Sequence, residues 1–446
     1  MGYQAPEIED EGPSPSSDLY TVGRTLAVLT FEFAGFQQQY RFRLPDNEPL
    51  LQQQESFARL LRRATHRHPA RRFQSAGEMA EQLTGVLREV LSVGDGQPRP
   101  AFSGLFSPEL RAIGTDLSTA SANGSGVLAV TPPPAAEVIA GLPAPLADGS
   151  DPAAGYLARL VGLEPAQQAQ SLLGAVTGDA GIPPGVAESP ETRLALVRAL
   201  IATGDVLAAK AALAELSSSA RADWRAAWYG GLCELAGGRP DRAGAAFSAV
   251  YDELPGELAP KLALAFAAEA AGDLPAARHY FQLVWTIDRS YVSAGFGTAR
   301  AYLASGDRVT AIAAVAAVPE TSSHHAAAQI AAVRLLVAGG AGLSVADLRQ
   351  ADQRLGRLSL EDNDPRRHQL AVEILRAALD WVSAGTAAPQ RSGAQLDATR
   401  ILGYEANERA LRFGLERGYR ALATLIPERR VELVDMANSV RPRTWI

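Results

Sequence analysis

Cysteine is almost missing from this sequence: Cys233 stands alone among 446 residues. One cysteine cannot build a disulfide framework or a cysteine-ligated zinc or iron–sulfur site within the chain, and a reducing, cytoplasmic setting is expected. Lysine is nearly as scarce, since all but Lys210 and Lys261 of the 42 basic residues are arginine. Such a bias points to a GC-rich genome, so arginine abundance by itself says little about chemistry. There is no basic excess either: the formal net charge is −7 and the pI near 5.6, which argues against a dedicated nucleic-acid binder. No run approaches the ~18 uncharged apolar residues of a membrane helix, and the opening MGYQAPEIED lacks a basic-then-apolar leader. With 47% hydrophobic and 20% charged residues, the chain reads as ordinary globular domains, two or three at this length.

Periodicity along the chain is helical. Residues 17–36 carry Leu19, Val22, Leu26 and Leu29 on one stripe, with Ser17 or Asp18 as the expected cap, and further helices are expected over 54–66 and 75–91. From Gly94 to about Pro152 the pattern fails, Gly, Pro and Ser crowd in, and TPPPAAEV cannot lie inside a helix. That stretch reads as a linker, with a short strand at 126–130.

Beyond residue 190 a repeat can be counted. Gly204, Gly238, Gly272, Gly306 and Gly340 recur every 34 residues, and Asp205, Asp273 and Asp307 follow three of them. A period of 34 is that of the tetratricopeptide repeat, two antiparallel helices joined at such a glycine. Small residues then fall where the helices approach, at Ala209, Ala243, Ala277 and Ala311, and larger ones follow at Leu213, Phe247, Phe281 and Val315. Such units bury their faces only by stacking. The expected fold is therefore mainly α: residues 153–190 a helical lead-in, 191–345 a repeat solenoid, and 346–446 a helical cap, its helices at 365–384 and 404–440.

The first 92 residues resemble the end of a protein kinase catalytic domain. Ala5-Pro6-Glu7 matches the triplet closing the activation segment, Asp18-Leu19-Tyr20-Thr21-Val22-Gly23 the start of the next buried helix, and His68-Pro69-Ala70-Arg71-Arg72 a later turn. The resemblance implies a partial kinase C-lobe over 1–92, a linker over 93–152, and a buried Glu7–Arg72 ion pair, with Asp18 supporting the catalytic loop from below. GYQAPEI, DLYTVGRTLAVLT, RRFQSAGEMAEQLTGVLREV, PRPAFSGLFSP, PGELAPKLALAFAAEAAGD and VELVDMANSVRP narrow it to the actinobacterial protein kinase G family, whose complete members are serine/threonine kinases using ATP and magnesium.

The residues that perform phosphoryl transfer are not found within this sequence. No lysine precedes Lys210, no histidine is followed by Arg-Asp, and there is no Asp-Phe-Gly. Gly124-Ser125-Gly126-Val127-Leu128-Ala129 imitates a dinucleotide loop, but the prolines after it preclude the helix such a loop must open. His324-His325 has no further ligand at metal-binding spacing. No catalytic residue, metal or cofactor is assigned.

Binding is what the residues support. Aligned to the repeat, Arg225, Trp228, Phe266, Phe296 and Arg300 turn toward the concave face made by first helices, where aromatic and arginine side chains anchor partners. The three aromatics serve equally well as inter-repeat core. Three functions fit: the substrate-recruiting, dimerising part of such a kinase; a truncated product of a complete kinase, for which the resemblance implies an FHA-domain metabolic regulator as substrate; or a free adaptor. Residues 1–92 are expected to be less protected than the repeats.

Overall fold

The computed structural model describes residues 2–118, 131–216, 223–338, 342–386 and 399–442. Its secondary structure is almost wholly helical, and its contacts divide it into two compact units, one of residues 1–113 with 132–294, the other of 114–131 with 295–446. This division does not follow the motif borders at 92 and 152. The first 92 residues share a unit with both ends of the linker and the first three repeats.

Helix Pro15–Thr30 begins earlier than its apolar stripe suggests. Ser14, not Ser17 or Asp18, is the cap: Ser14 Oγ accepts from Ser17 N while Ser17 Oγ accepts from Ser14 N, and Pro15 fills the first helical position, where its missing N–H costs nothing. On this helix Arg24 is wholly buried with no carboxylate beside it. Its guanidinium instead donates to the carbonyls of Gly2, Phe36, Tyr40 and Arg43, at 3.0, 2.9, 2.8 and 2.9 Å, and lies over the Phe33 ring. One side chain thus holds a loop that has little regular structure of its own. Helices Glu55–Ala64 and Ala76–Asp95 complete this part around Leu60, Leu61, Phe73, Met79 and Val86.

The repeats form as counted. Four glycines of the ladder, Gly204, Gly238, Gly272 and Gly306, take left-handed backbone angles with φ of 82, 68, 80 and 81°, which explains glycine at each helix–helix turn; Gly340 lies outside the described residues. Asp205, Asp273 and Asp307 cap the following helices by accepting from the N–H three residues on. Ala209, Ala243, Ala277 and Ala311 are fully buried, as are Phe247, Phe281 and Val315. Leu213 is only half-buried. In the second repeat a Cβ at Gly231 would come within 2.5 Å of the Phe247 ring, so the two helices meet over a bare backbone.

The region expected to be a plain linker is partly built. The strand placed at 126–130 lies outside the described residues, but Ala135–Gly141 is a helix and Phe106, Ile113, Val138, Leu142 and Ala144 are buried. Residues 105–110 run beside 141–146: Ser107 N donates to Ala144 O (2.9 Å), Leu146 N to Leu105 O (2.8 Å) and Leu110 N to Gly141 O (3.0 Å). The second unit includes helices His325–Val337, Val345–Arg357, Pro365–Thr386, Glu408–Leu425 and Arg430–Val440. A hairpin, Arg400–Ile401 against Tyr404–Glu405, precedes the last two helices, turning at Leu402 and Gly403 with φ of 50 and 81°.

Candidate functional site

Two features of the first unit bear on function, a turn locked by an ion pair and a junction between the first 92 residues and the repeats. At the turn, Arg72 and Glu7 meet bidentately, with Nη1 to Oε1 at 2.6 Å and Nη2 to Oε2 at 2.8 Å. Arg72 is buried, and its remaining donors reach the carbonyls of His66 (2.6 Å) and Arg67 (3.1 Å). The Arg72 bond holds the Glu7 carboxyl below its usual range against the opposing effect of burial. Ala5 is buried and Pro6 half-buried in the same turn. Asp18 is exposed, and among the described residues its carboxylate makes no hydrogen bond.

Four segments meet at the junction. Lys261, one of the two lysines, is fully buried. Its Nζ lies 2.7 Å from Glu89 Oε2 and donates to Pro255 O at 2.8 Å, 5.0 Å from the Tyr251 ring centre. Ser56 Oγ donates to Glu89 Oε2 (2.7 Å), and since that uses its one proton, the Tyr251 hydroxyl 2.6 Å away must donate to Ser56. Burial, then the Glu89 charge, pushes the Tyr251 hydroxyl well above its ordinary pKa, which keeps it a donor. Around this core Arg59 lies over the Tyr251 ring and bonds Glu55, Asp252 and Ser248 O, while Arg63 bonds Glu78 and Glu253 O. Helix Ala76–Asp95 passes so near the loop before Ala259–Ala271 that a Cβ at Gly85 would stand 2.3 Å from Gly256 O. Gly256 N donates to Gln82 Oε1 there (2.8 Å). None of Ser56, Glu89, Tyr251 and Lys261 was singled out from sequence. A lysine kept in an arginine-rich chain, and a glutamate on the buried side of Ala76–Asp95, were the available signals.

The five residues expected to face a partner are not open to one. Trp228 has no exposed surface and lies against Phe247 and Phe106, 5.3 and 4.9 Å between ring centres. Phe266 is buried edge-on to Phe281 at 4.9 Å, and Phe296 is wholly buried. Arg225 is held by Glu191 of the preceding repeat and by Asp223. Arg300, in the second unit, is buried and donates to Gly114 O (2.9 Å). The physical reason is the same for Trp228 and Arg300: a segment from before the repeats lies on them. Cys233 is a buried core residue whose thiol burial raises to about 11. His325 opens a helix, with its ring nitrogen on Val318 O at 2.9 Å. Among the described residues no cluster of three metal-ligating side chains occurs, and no helix is long and apolar enough to cross a membrane.

Comparison with known proteins agrees with this architecture. Residues 100–444 match the family described as "Protein kinase G tetratricopeptide repeat". The chain is 40% identical over 450 aligned residues to the "Serine/threonine-protein kinase PknG" of Mycolicibacterium smegmatis, covering 99% of this chain and 57% of that protein. Against the protein of the same name from Mycobacterium leprae it is 39% identical over 452, covering all of this chain and 58% of the relative. The chain thus spans under three fifths of the length of these curated relatives. With 34-residue repeats formed as counted and a match spanning most of its length, the chain belongs to the protein kinase G tetratricopeptide-repeat family.

Proposed function

We propose that these residues are the recruiting and positioning part of a serine/threonine kinase of this family. The repeats hold a protein partner, and the first 92 residues fix that partner relative to the catalytic site of the complete kinase. One observation carries the reading, the buried Lys261–Glu89 junction with its Ser56 and Tyr251 partners. A partner held on a body joined this closely to a kinase lobe reacts at an effective concentration set by that body, not by a flexible tether. The partner we infer is an FHA-domain metabolic regulator, phosphorylated by the complete kinase with ATP and magnesium. Self-association through the repeats is the second contact proposed.

The test is titration of this chain, immobilised, against the FHA-domain protein, with a kinase lobe lacking repeats as control. Saturable binding by the chain that the control lacks is the expected result. Equal binding by the control assigns recruitment to the lobe and overturns the reading.

A further inference from the structure

The first-helix face of the second repeat is occupied by the chain's own segment, and the manner of occupation is that of a peptide on a receptor. Phe106 is 1% exposed and sits between Trp224 and Trp228, each 4.9 Å away between ring centres, one tilted and one edge-on. Both tryptophans lie on helix Trp224–Ala236. The backbone around Phe106 pairs with residues 141–146, and Ser107 Oγ accepts from Ala144 N at 3.0 Å. A side-chain anchor in an aromatic slot, with main-chain pairing alongside it, is how extended peptides are recognised by strand addition.

Other details distinguish this seat from ordinary core. The neighbouring Phe102 is 97% exposed and Leu110 is 45% exposed, so the segment is apolar on both sides of its anchor without burying that surface. Glu109 is drawn in at a cost: its Oε1 is enclosed without a hydrogen-bond partner, while Oε2 receives a long bond from Ser293 N at 3.4 Å. An enclosed polar atom left unpaired weakens the seated state. Residues 103–110 therefore combine one good anchor with one poor contact, the balance expected of an occupant that can be exchanged.

Resting on the recruiting role above, we propose that the Trp224–Trp228 slot is the partner-recognition site of the repeats, and that residues 103–110 occupy it in cis as a stand-in for the partner. The occupant it selects is an extended peptide of a partner protein with a phenylalanine preceded by an aliphatic residue and followed by a small polar one, the chemistry of Leu105-Phe106-Ser107. Exchange is direct: the partner's phenylalanine replaces Phe106 and its backbone pairs with 141–146.

A fluorescein-labelled peptide of residues 101–112 is the probe, with anisotropy as readout. The expected result is saturable binding to full-length Phe106→Ala chain at least tenfold tighter than to wild type, lost again when Trp224→Ala is added. A Phe106→Ala chain with native circular dichroism that does not bind the peptide overturns the proposal. Should that variant misfold, the wild-type chain decides: excess peptide must speed amide exchange at Leu105, Ser107 and Leu110, and unchanged exchange sinks the idea. If the FHA-domain protein binds the chain while the peptide does not, recruitment stands and the slot falls; if neither binds, recruitment itself fails.

Discussion

Replacing Lys261 by methionine keeps the length of the side chain and removes its charge. Glu89 would then sit 4% exposed with a bond from Ser56 but no cation. Removing one partner of a buried pair typically costs about 3–5 kcal/mol, because the other charge stays enclosed. At roughly 2–4 °C per kcal/mol for a body of this size, the melting temperature should fall by about 10 °C. Glu89→Gln should cost a similar amount by stranding the ammonium. The double variant removes both charges, so it should be less damaging than the two singles added together by at least about 1.5 kcal/mol. Urea unfolding followed by circular dichroism measures all three, and amide exchange locates the effect. Because this junction packs them on the repeats, helices Glu55–Ala64 and Ala76–Asp95 of the wild type should, against the expectation from sequence, be as protected as Pro240–Glu253; in Lys261→Met they should label first. Single variants that each cost under about 1 kcal/mol, or costs that simply add, would refute the view that the first 92 residues and the repeats are held by this pair.

Arg24→Met should cost at least about 3 kcal/mol in the same assay and raise proteolysis of residues 33–43, since four carbonyls lose their common donor; undiminished resistance would show that the loop holds itself. The Glu7 carboxyl is depressed by Arg72, so its stabilisation is present above the ordinary value near 4.5 and is lost as pH falls through the lower folded value. Glu7→Gln should therefore flatten the acid side of the stability profile, and an unchanged profile would count against the pair. Glu109 behaves oppositely: burial raises its carboxyl to about 8 from 4.5 despite the Ser293 bonds, with Asp288 adding to the rise. The stability of the seated segment is full below pH 4.5 and declines as pH rises to about 8, by on the order of 2–4 kcal/mol once discounted for the part of the side chain that reaches solvent. Glu109→Gln should make residues 103–110 equally protected at pH 5 and pH 9, which exchange at those two values checks.

The repeats were legible because their code is local. Glycine at a left-handed turn, aspartate at the cap and alanine at the crossing each answer to a neighbour a few residues away, so a period of 34 shows in the sequence. Glu7 and Arg72 were legible through resemblance, being 65 residues apart in the chain. What stayed hidden depends on contacts of long span. Ser56 and Tyr251 are 195 residues apart, and nothing in the composition around either announces the other. Phe106 lies in a stretch whose prolines and glycines argue against regular structure, correctly, yet irregular backbone can still seat a buried ring. Trp228, expected to face a partner, is closed off by a segment the period does not include.

Gly85 and Gly256 carry a consequence for inheritance. A Cβ added at Gly85 would stand 2.3 Å from Gly256 O, and one added at Gly256 would stand 2.4 Å from Gln82 O, a turn earlier on the same helix. A methyl group on either would force helix Ala76–Asp95 and the loop at 256 apart, because both clashes are with backbone. The first 92 residues and the repeat array are therefore not freely exchangeable parts. A chimera spliced between them from two diverged parents should fold only where both carry glycine at this one crossing.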